Sequence, residues 1–332
     1  MTNRDALALS FLGDTDWSNA KRRPLAGDAS NRRYERLTHP NTGQTAVLMD
    51  APPEKGEDIR PFSHIARHLC DIGLSAPHIM AEDAVNGFLL IEDLGDALYA
   101  RVVETEPELE TTLYEAAIDV LLALHAAPLP TLETYGPEIM TDLAALAFSK
   151  YMKGISGSSE GEDNFRAIFQ KICADHKPAT PVLIQRDYHA ENLLWLPERS
   201  GAARVGLLDF QDAMLGHPAY DLVSLLQDAR RDVSPQLEDR MINLYLAGSG
   251  ADPADFRAAY AVLGAQRNLR IIGVFARLGR EYNKPHYVDL IPRVWGLLMR
   301  DLKHPALAPV ADLLRNTLPM PNSDNLKNLK ST

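Results

Sequence analysis

The sequence predicts an α+β protein of two lobes, with a small β-rich N-terminal lobe over residues 1–93 and a larger, mostly helical C-terminal lobe over residues 94–319. Two observations carry this prediction. Short apolar and β-branched segments, separated by turn residues, fill the first part of the chain. From Leu94 onward, apolar residues recur with the helical spacing i, i+4, i+7 and i+8, as from Leu113 to Leu121. The polar and aperiodic residues 320–332 are predicted to form a flexible tail.

Individual elements follow from turn signals and periodicity. Pro61 favours a helix start, and the apolar face that follows ends near Gly73. Asn86-Gly87 is typical of a hairpin turn. The strands predicted on this basis cover residues 21–26, 32–38, 45–49, 78–82 and 87–93 in the first lobe and 182–185 and 205–208 in the second.

Composition excludes several classes of function. The 332 residues carry a formal net charge of −11, which disfavours a nucleic-acid partner because a phosphate backbone requires a basic surface. No apolar run approaches the roughly 20 residues of a membrane-spanning helix, and the first residues are not expected to form a secretory signal. The distant Cys70 and Cys173 fit a reducing compartment. We therefore expect a cytoplasmic protein that binds no membrane, and the sequence implies no protein partner.

Residues 183–194 and 206–212 are the most informative part of the chain. They place Asp187, then Asn192 five residues later, and then Asp209 after a short apolar run. Phosphoryl transfer from ATP uses such a set, with one carboxylate at the acceptor hydroxyl and an amide plus a carboxylate on Mg²⁺. The pattern predicts Asp187 as the catalytic residue, Asn192 and Asp209 as metal ligands, and ATP and Mg²⁺ as cofactors. The alternative is that these are ordinary surface-loop and turn-capping residues.

A second aspartate near this motif is predicted to have a structural role. Asp221 precedes the apolar residues 222–226, which favours an N-cap position. We also expect Asp221 to hold the loop around Asp187 by hydrogen bonds.

Several strings outside the motif make the chain resemble the aminoglycoside phosphotransferase/choline kinase-like family. Within that family, it is most similar to the bacterial anomeric kinases of N-acetylmuramate and N-acetylglucosamine, which serve cell-wall recycling. The strings are GDASNRRY at 27–34, VLMDAPP at 47–53, FLLIEDLGD at 88–96, RDYHAENLL at 186–194, LDFQDA at 208–213, GHPAYDLVSLL at 216–226 and QRNLRIIGVFARL at 266–278. The resemblance implies a bilobal protein-kinase-like fold.

The chain departs from the wider kinase pattern at two positions. Gln185 stands where the family usually has a histidine that braces the catalytic loop, and its amide is expected to do the same. Met49 stands where kinases usually place a lysine on the nucleotide phosphates. The phosphate contacts are therefore assigned to Ser30, Arg32 and Arg33, and the alternative for the two arginines is an exposed strand position.

The remaining predicted contacts concern adenine and the acceptor. Glu92 and Leu94 lie where the lobes of a kinase join, so their backbone is expected to hydrogen-bond adenine. Arg267, Arg270 and Arg277 fall within about 80° of one another on a predicted helix, and this basic stripe would face the lactyl carboxylate of N-acetylmuramate. Of the three, Arg267 and Arg270 are predicted to bind the acceptor, and a solvated arginine face is the alternative.

The leading functional hypothesis is transfer of the ATP γ-phosphoryl group to the anomeric hydroxyl of N-acetylmuramate or N-acetylglucosamine. The first alternative is phosphorylation of an aminoglycoside, choline or a related amine, which an acidic acceptor pocket would favour. The second is a nucleotide-binding pseudokinase, which only Met49 and Gln185 support.

Overall fold

The computed structural model describes residues 3–25 and 31–330, and its N-terminal part is built on five antiparallel strands in the spatial order β1-β2-β3-β5-β4. The central strand β3 is buried over all but its first residue because it lies between β2 and β5. In chain order the strands are β1 (Lys21–Pro24), β2 (Arg33–Thr38), β3 (Thr45–Asp50), β4 (Ile79–Asp83) and β5 (Phe88–Glu92).

Four helices and a small hairpin complete this part. Helix α2 begins with Pro61 in its first turn and buries the predicted apolar face, including Phe62 and Leu69. Leu12 of the first helix packs into a core cluster with Phe88 and other residues of the sheet. The helices are α1 (Asn3–Gly13), α2 (Arg60–Asp71), α3 (Tyr99–Thr105) and α4 (Glu110–Ala126), and the hairpin strands are β7 (Leu193–Trp195) and β8 (Val205–Leu207).

The C-terminal part is mostly helical and centres on the 29-residue helix α10, which is buried along much of its length. None of the helices in the described chain combines the length and apolar character needed to cross a membrane. A π-helical segment occupies Ala147–Met152. The other elements are α5 (Pro137–Ala144), α6 (Lys153–Ser156), α7 (Glu162–Asp175), β6 (Val182–Ile184), β9 (Met214–Gly216), α8 (Ala219–Leu226), α9 (Pro235–Ser249), α10 (Pro253–Glu281), α11 (Ile291–Asp301), α12 (Ala308–Thr317) and α13 (Ser323–Lys330).

The structure divides the chain into two units, and their boundaries differ from the one predicted after residue 93. One unit holds residues 1–130 together with 190–213, and the other holds 131–189 together with 214–332. Residues 190–213 join the first unit because their hairpin is bonded to it: Leu207 N–H donates to Ser75 O, and Trp195 N–H donates to Ala97 O, each at 2.8 Å. These pairings connect residues far apart in the sequence, so local patterns do not reveal them.

The predicted tail at 320–332 contains a helix that the sequence analysis missed. Residues 323–330 form α13, and its Leu329 is fully buried. A Cβ added at Gly154 would lie 2.7 Å from Leu329 Cδ2, and one at Gly279 would lie 2.8 Å from the Leu329 carbonyl oxygen. The helix is therefore stabilised by close packing against two glycines, which apolar periodicity cannot show.

Gly87 illustrates how the sheet is held to the segment that follows β3. Its φ is +73°, and an added Cβ would lie 2.0 Å from the carbonyl oxygen of Ala51. We expect Gly87→Ala to lower the free energy of unfolding by about 2 kcal/mol more than Gly43→Ala, because overpacking adds to the cost of a left-handed backbone. Gly43 has a similar φ of +71° and open space around it. Urea unfolding of both variants tests this expectation, and equal losses would contradict it.

Candidate active site

The three predicted catalytic and metal-binding residues lie at the ends of short strands. Asp187 follows β6, Asn192 immediately precedes β7, and Asp209 follows β8. Asp187 belongs to the second unit, whereas Asn192 and Asp209 belong to the first. Strand ends present side chains outside the hydrogen-bonded ladder, so the position of each of these residues is set by the neighbouring strand.

Asp221 anchors the backbone beside Asp187, as expected. Its carboxylate is fully buried, and it accepts hydrogen bonds from the N–H groups of Gln185 at 2.7 Å and Arg186 at 2.9 Å. Arg186 has a φ of +72°, a strained conformation for a residue with a side chain. Hydrogen bonds to the N–H and to the carbonyl oxygen of Arg186 hold this conformation, and backbone strain of this kind is typical of functional sites.

The predicted N-cap role of Asp221 is wrong. Helix α8 begins at Ala219, and Pro218 occupies the cap position. The Nδ1 atom of His217 accepts a hydrogen bond from the Ala219 N–H at 3.0 Å. This histidine thus provides an acceptor for one of the N–H groups that have no partner within the helix. Asp221 therefore lies within the first turn, where its side chain is free to reach the loop preceding Asp187.

Asp187 is ionised near neutral pH. Burial alone would raise the pKa of this carboxyl group, but the positive charges of Arg270 and Arg267 outweigh burial and hold its pKa below the ordinary value. The exposed fraction of the Asp187 side chain is 30%, so a ligand can reach the carboxylate. A carboxylate of low pKa is a weak base, and its main contribution is therefore to orient and accept a hydrogen bond.

Arg267 is buried, so the alternative of a solvated arginine face does not hold for it. Its Nη2 atom donates to Ser224 Oγ at 2.7 Å and lies 3.9 Å from Asp187 Oδ1. The Ser224 hydroxyl in turn donates to the carbonyl oxygen of Arg186 at 3.3 Å. Arg267 therefore positions the loop around Asp187 in addition to supplying charge.

Arg270 has a different environment on the same helix. Its Nη1 atom donates to the hydroxyl of Tyr220 at 3.3 Å. Tyr220 lies edge-on to Tyr135 with 5.0 Å between ring centroids, and Gln266 Nε2 donates to the Tyr135 hydroxyl at 3.1 Å. Neither tyrosine was predicted from the sequence, and only the place of Tyr220 beside Asp221 offered a signal. Together these groups hold the Arg270 guanidinium in a fixed place.

Asn192 and Asp209 lie together within the first unit. Asn192 Nδ2 donates to Asp209 Oδ2 at 3.3 Å, and Gln211 Nε2 donates to Asp209 Oδ1 at 2.7 Å. Asp209 has a φ of +57°, and the next residue, Phe210, packs against Phe62 of α2 with 4.9 Å between ring centroids. The packed phenylalanine fixes a strained backbone that presents the Asp209 carboxylate.

The donor set at Asn192 and Asp209 fits Mg²⁺. It consists of hard carboxylate and amide oxygens, which Mg²⁺ prefers. In the part of the chain that the structure describes, no group of three or more His, Cys, Asp or Glu residues could hold a metal ion. Mg²⁺ usually keeps water and substrate phosphates among its ligands, so two protein ligands would suffice to hold it.

The predicted phosphate-binding cations have carboxylate partners. Arg32 Nε lies 2.9 Å from Glu57 Oε2, and Arg33 is paired with Asp50. Met49 is fully buried and offers no cation. These ion pairs would compete with nucleotide phosphates for both arginines. Phosphate binding by Arg32 and Arg33 therefore remains a prediction. Ser30 lies outside the described residues.

The segment predicted to contact adenine is fixed by the side chain of Glu92. Its Oε1 atom accepts from Arg199 Nη2 at 2.6 Å, and Arg199 also donates to Ser75 Oγ at 2.7 Å. Leu94 is buried against Leu194 and Leu196. The Glu92 side chain is therefore occupied by its ion pair with Arg199. A hydrogen bond from the backbone of this segment to adenine remains a prediction.

Two polar residues of the catalytic loop are buried. The backbone N–H of Gln185 bonds to Asp221, but its side-chain Nε2 has no hydrogen-bond partner within the described residues, so the expected bracing by this nitrogen is not observed. Burial lowers the pKa of His189 to about 4, and the imidazole is therefore neutral near pH 7. Neither side chain supplies a charge to a substrate at that pH.

We expect Asp221→Asn to reduce both stability and turnover. Asparagine accepts through one oxygen only, so the N–H of either Gln185 or Arg186 loses its acceptor, at a cost of about 1–3 kcal/mol. The loop before Asp187 loosens as a result, and kcat is expected to fall about tenfold to a hundredfold. Urea unfolding and steady-state kinetics measure the two effects.

The matched control for this variant is Asp301→Asn. Asp301 is also buried and accepts two amide hydrogen bonds, from Gln227 at 3.0 Å and Asn268 at 3.1 Å. This substitution is expected to reduce stability while kcat of the folded protein changes little. Equal losses of kcat in Asp221→Asn and Asp301→Asn would show that Asp221 has no special role in the loop.

Comparison with known proteins identifies a family for most of the chain. Residues 21–259 match the model of the phosphotransferase enzyme family, APH. This range includes Asp187, Asn192, Asp209 and Asp221.

Two relatives of known activity match nearly the whole chain. The N-acetylmuramate/N-acetylglucosamine kinase of Caulobacter vibrioides is 41% identical over 346 aligned residues, which cover 92% of this chain and 94% of the relative. The Pseudomonas aeruginosa protein of the same name is 34% identical, with 88% of this chain and 87% of the relative covered.

Solved structures of low sequence identity share the fold. The GDP complex of an aminoglycoside 2'-phosphotransferase variant superposes with a TM-score of 0.63 at 14% identity, over 91% of this chain and 98% of the other. The predicted protein-kinase-like α+β fold, with a small antiparallel sheet and a larger helical part, is confirmed.

Proposed function

The chain belongs to the phosphotransferase enzyme family, and from this premise we propose that it transfers the γ-phosphoryl group of ATP to the anomeric hydroxyl of N-acetylmuramate and N-acetylglucosamine. The anomeric oxygen forms a bond to the γ-phosphorus, the bond to the bridging oxygen breaks, and ADP leaves. The hydroxyl proton passes to the Asp187 carboxylate as the new bond forms.

The surroundings of Asp187 are the main support for this mechanism. Its ionised carboxylate accepts a hydrogen bond from the acceptor hydroxyl and directs the oxygen lone pair toward phosphorus. The loop that carries it is anchored by Asp221 and by the chain of hydrogen bonds from Arg267 through Ser224. Such anchoring reduces the reorganisation needed to reach the transition state.

The metal-side residues complete the proposed machinery. Bound Mg²⁺ would offset the negative charge of the nucleotide phosphates. Gln211 and the packing of Phe210 against Phe62 hold the Asp209 carboxylate ready for that role, and Asn192 supplies an amide oxygen. An assembled set of this kind supports an active kinase over a pseudokinase.

The charge near Asp187 supports an anionic or neutral acceptor over a cationic one. The groups with the largest electrostatic effect on Asp187 are Arg270 and Arg267. A cationic aminoglycoside or choline would be repelled by this pair, whereas the lactyl carboxylate of N-acetylmuramate would be attracted. Of the two, Arg270 is the proposed carboxylate contact, because Arg267 already bonds to Ser224.

An ADP-release assay with Mg·ATP and four acceptors tests the proposed function. The acceptors are N-acetylmuramate, N-acetylglucosamine, kanamycin and choline, and a reaction without acceptor is the blank. We expect turnover with the two N-acetyl sugars only. Turnover confined to kanamycin or choline would overturn the substrate assignment, and nucleotide binding without transfer to any acceptor would favour the pseudokinase.

Arg270 can be tested by comparing the two sugars, since only N-acetylmuramate carries a carboxylate. We expect Arg270→Gln to lower kcat/KM for N-acetylmuramate about tenfold more than for N-acetylglucosamine, because a charge-assisted hydrogen bond is lost. Arg257→Gln, at a partly exposed arginine paired with Asp239, is the control and is expected to affect neither sugar. An equal loss for both sugars would assign Arg270 to supporting Asp187 rather than to recognising the carboxylate.

A further inference from the structure

A second basic site lies on the C-terminal half of helix α10. A pocket of about 370 Å³ opens between this helix and the segment formed by the π-helix and α6. Four basic side chains line it, accompanied by a single carboxylate: Lys150, Lys153, Arg277, Arg280 and Glu281. Four cations beside one anion stand out in a chain whose formal net charge is −11.

Two of the four basic side chains in the pocket, Lys150 and Arg280, have hydrogen-bond acceptors on its lining. Glu281 accepts from Lys150 Nζ at 2.6 Å, and the Gly154 carbonyl accepts from Arg280 Nη1 at 2.9 Å. The Nε atom of Arg277 is buried and has no hydrogen-bond partner among the residues that the structure describes. A buried donor without an acceptor is unusual in a folded protein and indicates that a ligand or solvent completes it.

Local backbone geometry also sets this pocket apart. Lys150 lies in the π-helical segment Ala147–Met152, and π-helical turns occur frequently at functional sites. The close approach of α10 to this segment is fixed at Gly273, where an added Cβ would lie 2.4 Å from the backbone of Leu146. The basic groups are therefore presented from two elements that are held together tightly.

The pocket is distinct from the arginines near Asp187. Arg277 follows Arg270 by seven residues, which corresponds to about 10 Å along an α-helix. Arg270 bonds to Tyr220, and none of the residues lining the pocket takes part in that group. The pocket therefore has its own set of basic side chains, apart from Arg267 and Arg270.

We propose that the pocket formed by Lys150, Lys153, Arg277 and Arg280 binds the phosphoryl group of a small phosphate compound. A phosphate dianion provides several acceptor oxygens, accepts from arginine through paired N–H groups and offsets the excess positive charge. Free phosphate and a phosphate monoester share this chemistry. The proposal is independent of the sugar assigned to the active site.

The experiment titrates the full-length protein with inorganic phosphate and, separately, with glucose 1-phosphate at constant ionic strength. Isothermal calorimetry gives the affinity. Acetylation of lysines, followed by mass spectrometry, locates the bound ligand. Lys171 is the internal reference because it is exposed and lies on α7, away from the residues that line the pocket.

We expect each bound probe to protect Lys150 and Lys153 but not Lys171. Arg277→Gln should weaken binding about tenfold, whereas Arg101→Gln, at an exposed arginine of α3, should leave it unchanged. Lys153→Gln serves as a second pocket variant, since its exposed side chain can be replaced without disturbing packing. Circular dichroism verifies that each variant is folded.

Tighter binding of glucose 1-phosphate than of inorganic phosphate would identify a phosphate ester as the ligand. Equal affinities would indicate that the pocket recognises the phosphoryl group alone. Both results support the site. Absence of binding at millimolar concentrations, or binding that neither Arg277→Gln nor Lys153→Gln weakens, would overturn the proposal. Protection of all three lysines alike would also overturn it, because it would indicate nonspecific association.

Discussion

Asp187→Asn is expected to lower kcat for sugar phosphorylation by about a thousandfold, because the carboxylate orients the acceptor hydroxyl and, as a smaller contribution, receives its proton. The substitution preserves the shape of the side chain but removes its negative charge. The loop should keep its conformation, since its anchors to Asp221 are formed by backbone N–H groups of Gln185 and Arg186. Steady-state kinetics at saturating ATP and sugar measure the loss.

The control is Asp175→Asn, the same chemical change at an exposed position paired with Lys171. It should leave kcat and the unfolding midpoint unchanged. Nucleotide affinity should also be retained in Asp187→Asn, since the proposed metal ligands are other residues. Turnover of Asp187→Asn within tenfold of the unchanged protein would exclude Asp187 as the residue that receives the hydroxyl proton.

Asp209→Asn is expected to have an effect of similar size through the metal. The variant retains an oxygen at this position but loses the charge that makes carboxylate a strong magnesium ligand. We expect kcat to fall about a thousandfold and ATP binding to lose its dependence on Mg²⁺. Binding of a fluorescent ATP analogue, measured with Mg²⁺ and with a chelator, provides a readout that does not require turnover.

For the unchanged protein, the chelator should weaken nucleotide binding, whereas for Asp209→Asn it should have little effect. Asp58→Asn, at an exposed carboxylate paired with Arg60, should behave like the unchanged protein. If Asp209→Asn binds the nucleotide with full magnesium dependence, then the metal is held by other residues.

The central residues of the site were predictable because their signal is local. Asp187 and Asn192 are five residues apart on one loop, and Asp209 lies two residues beyond the short strand β8. Such a spacing of residue types indicates phosphoryl transfer even when the rest of the fold is unknown. The roles of these residues are still predictions, whereas their placement at the ends of β6, β7 and β8 is observed.

The arginines were harder to interpret because their environment is set by distant residues. Helical spacing placed Arg267 and Arg270 on one side of α10, but it could not show that Ser224 and Tyr220 of α8 lie against that side. Carboxylates more than fifteen residues away pair with Arg32 and Arg33. Long-range ion pairs of this kind leave no local pattern.

The start of helix α8 was misassigned for a different reason. Aspartate is a common N-cap residue, and the apolar run after Asp221 favoured that position. Pro218 and His217 were the better signals, since proline favours the beginning of a helix and the histidine ring accepts the first free N–H. A residue near a helix start can thus serve a neighbouring loop instead of its own helix.

The site at which phosphate is attached tests the central claim most directly. The enzyme should be incubated with Mg·ATP and N-acetylglucosamine labelled with ¹³C at C1, and the product should be examined by ³¹P and ¹³C NMR. We predict a phosphorus–carbon coupling to the labelled C1 and no such product from Asp187→Asn. A sugar phosphate without coupling to C1 would contradict transfer to the anomeric hydroxyl, and the absence of any sugar phosphate would contradict the proposed kinase activity.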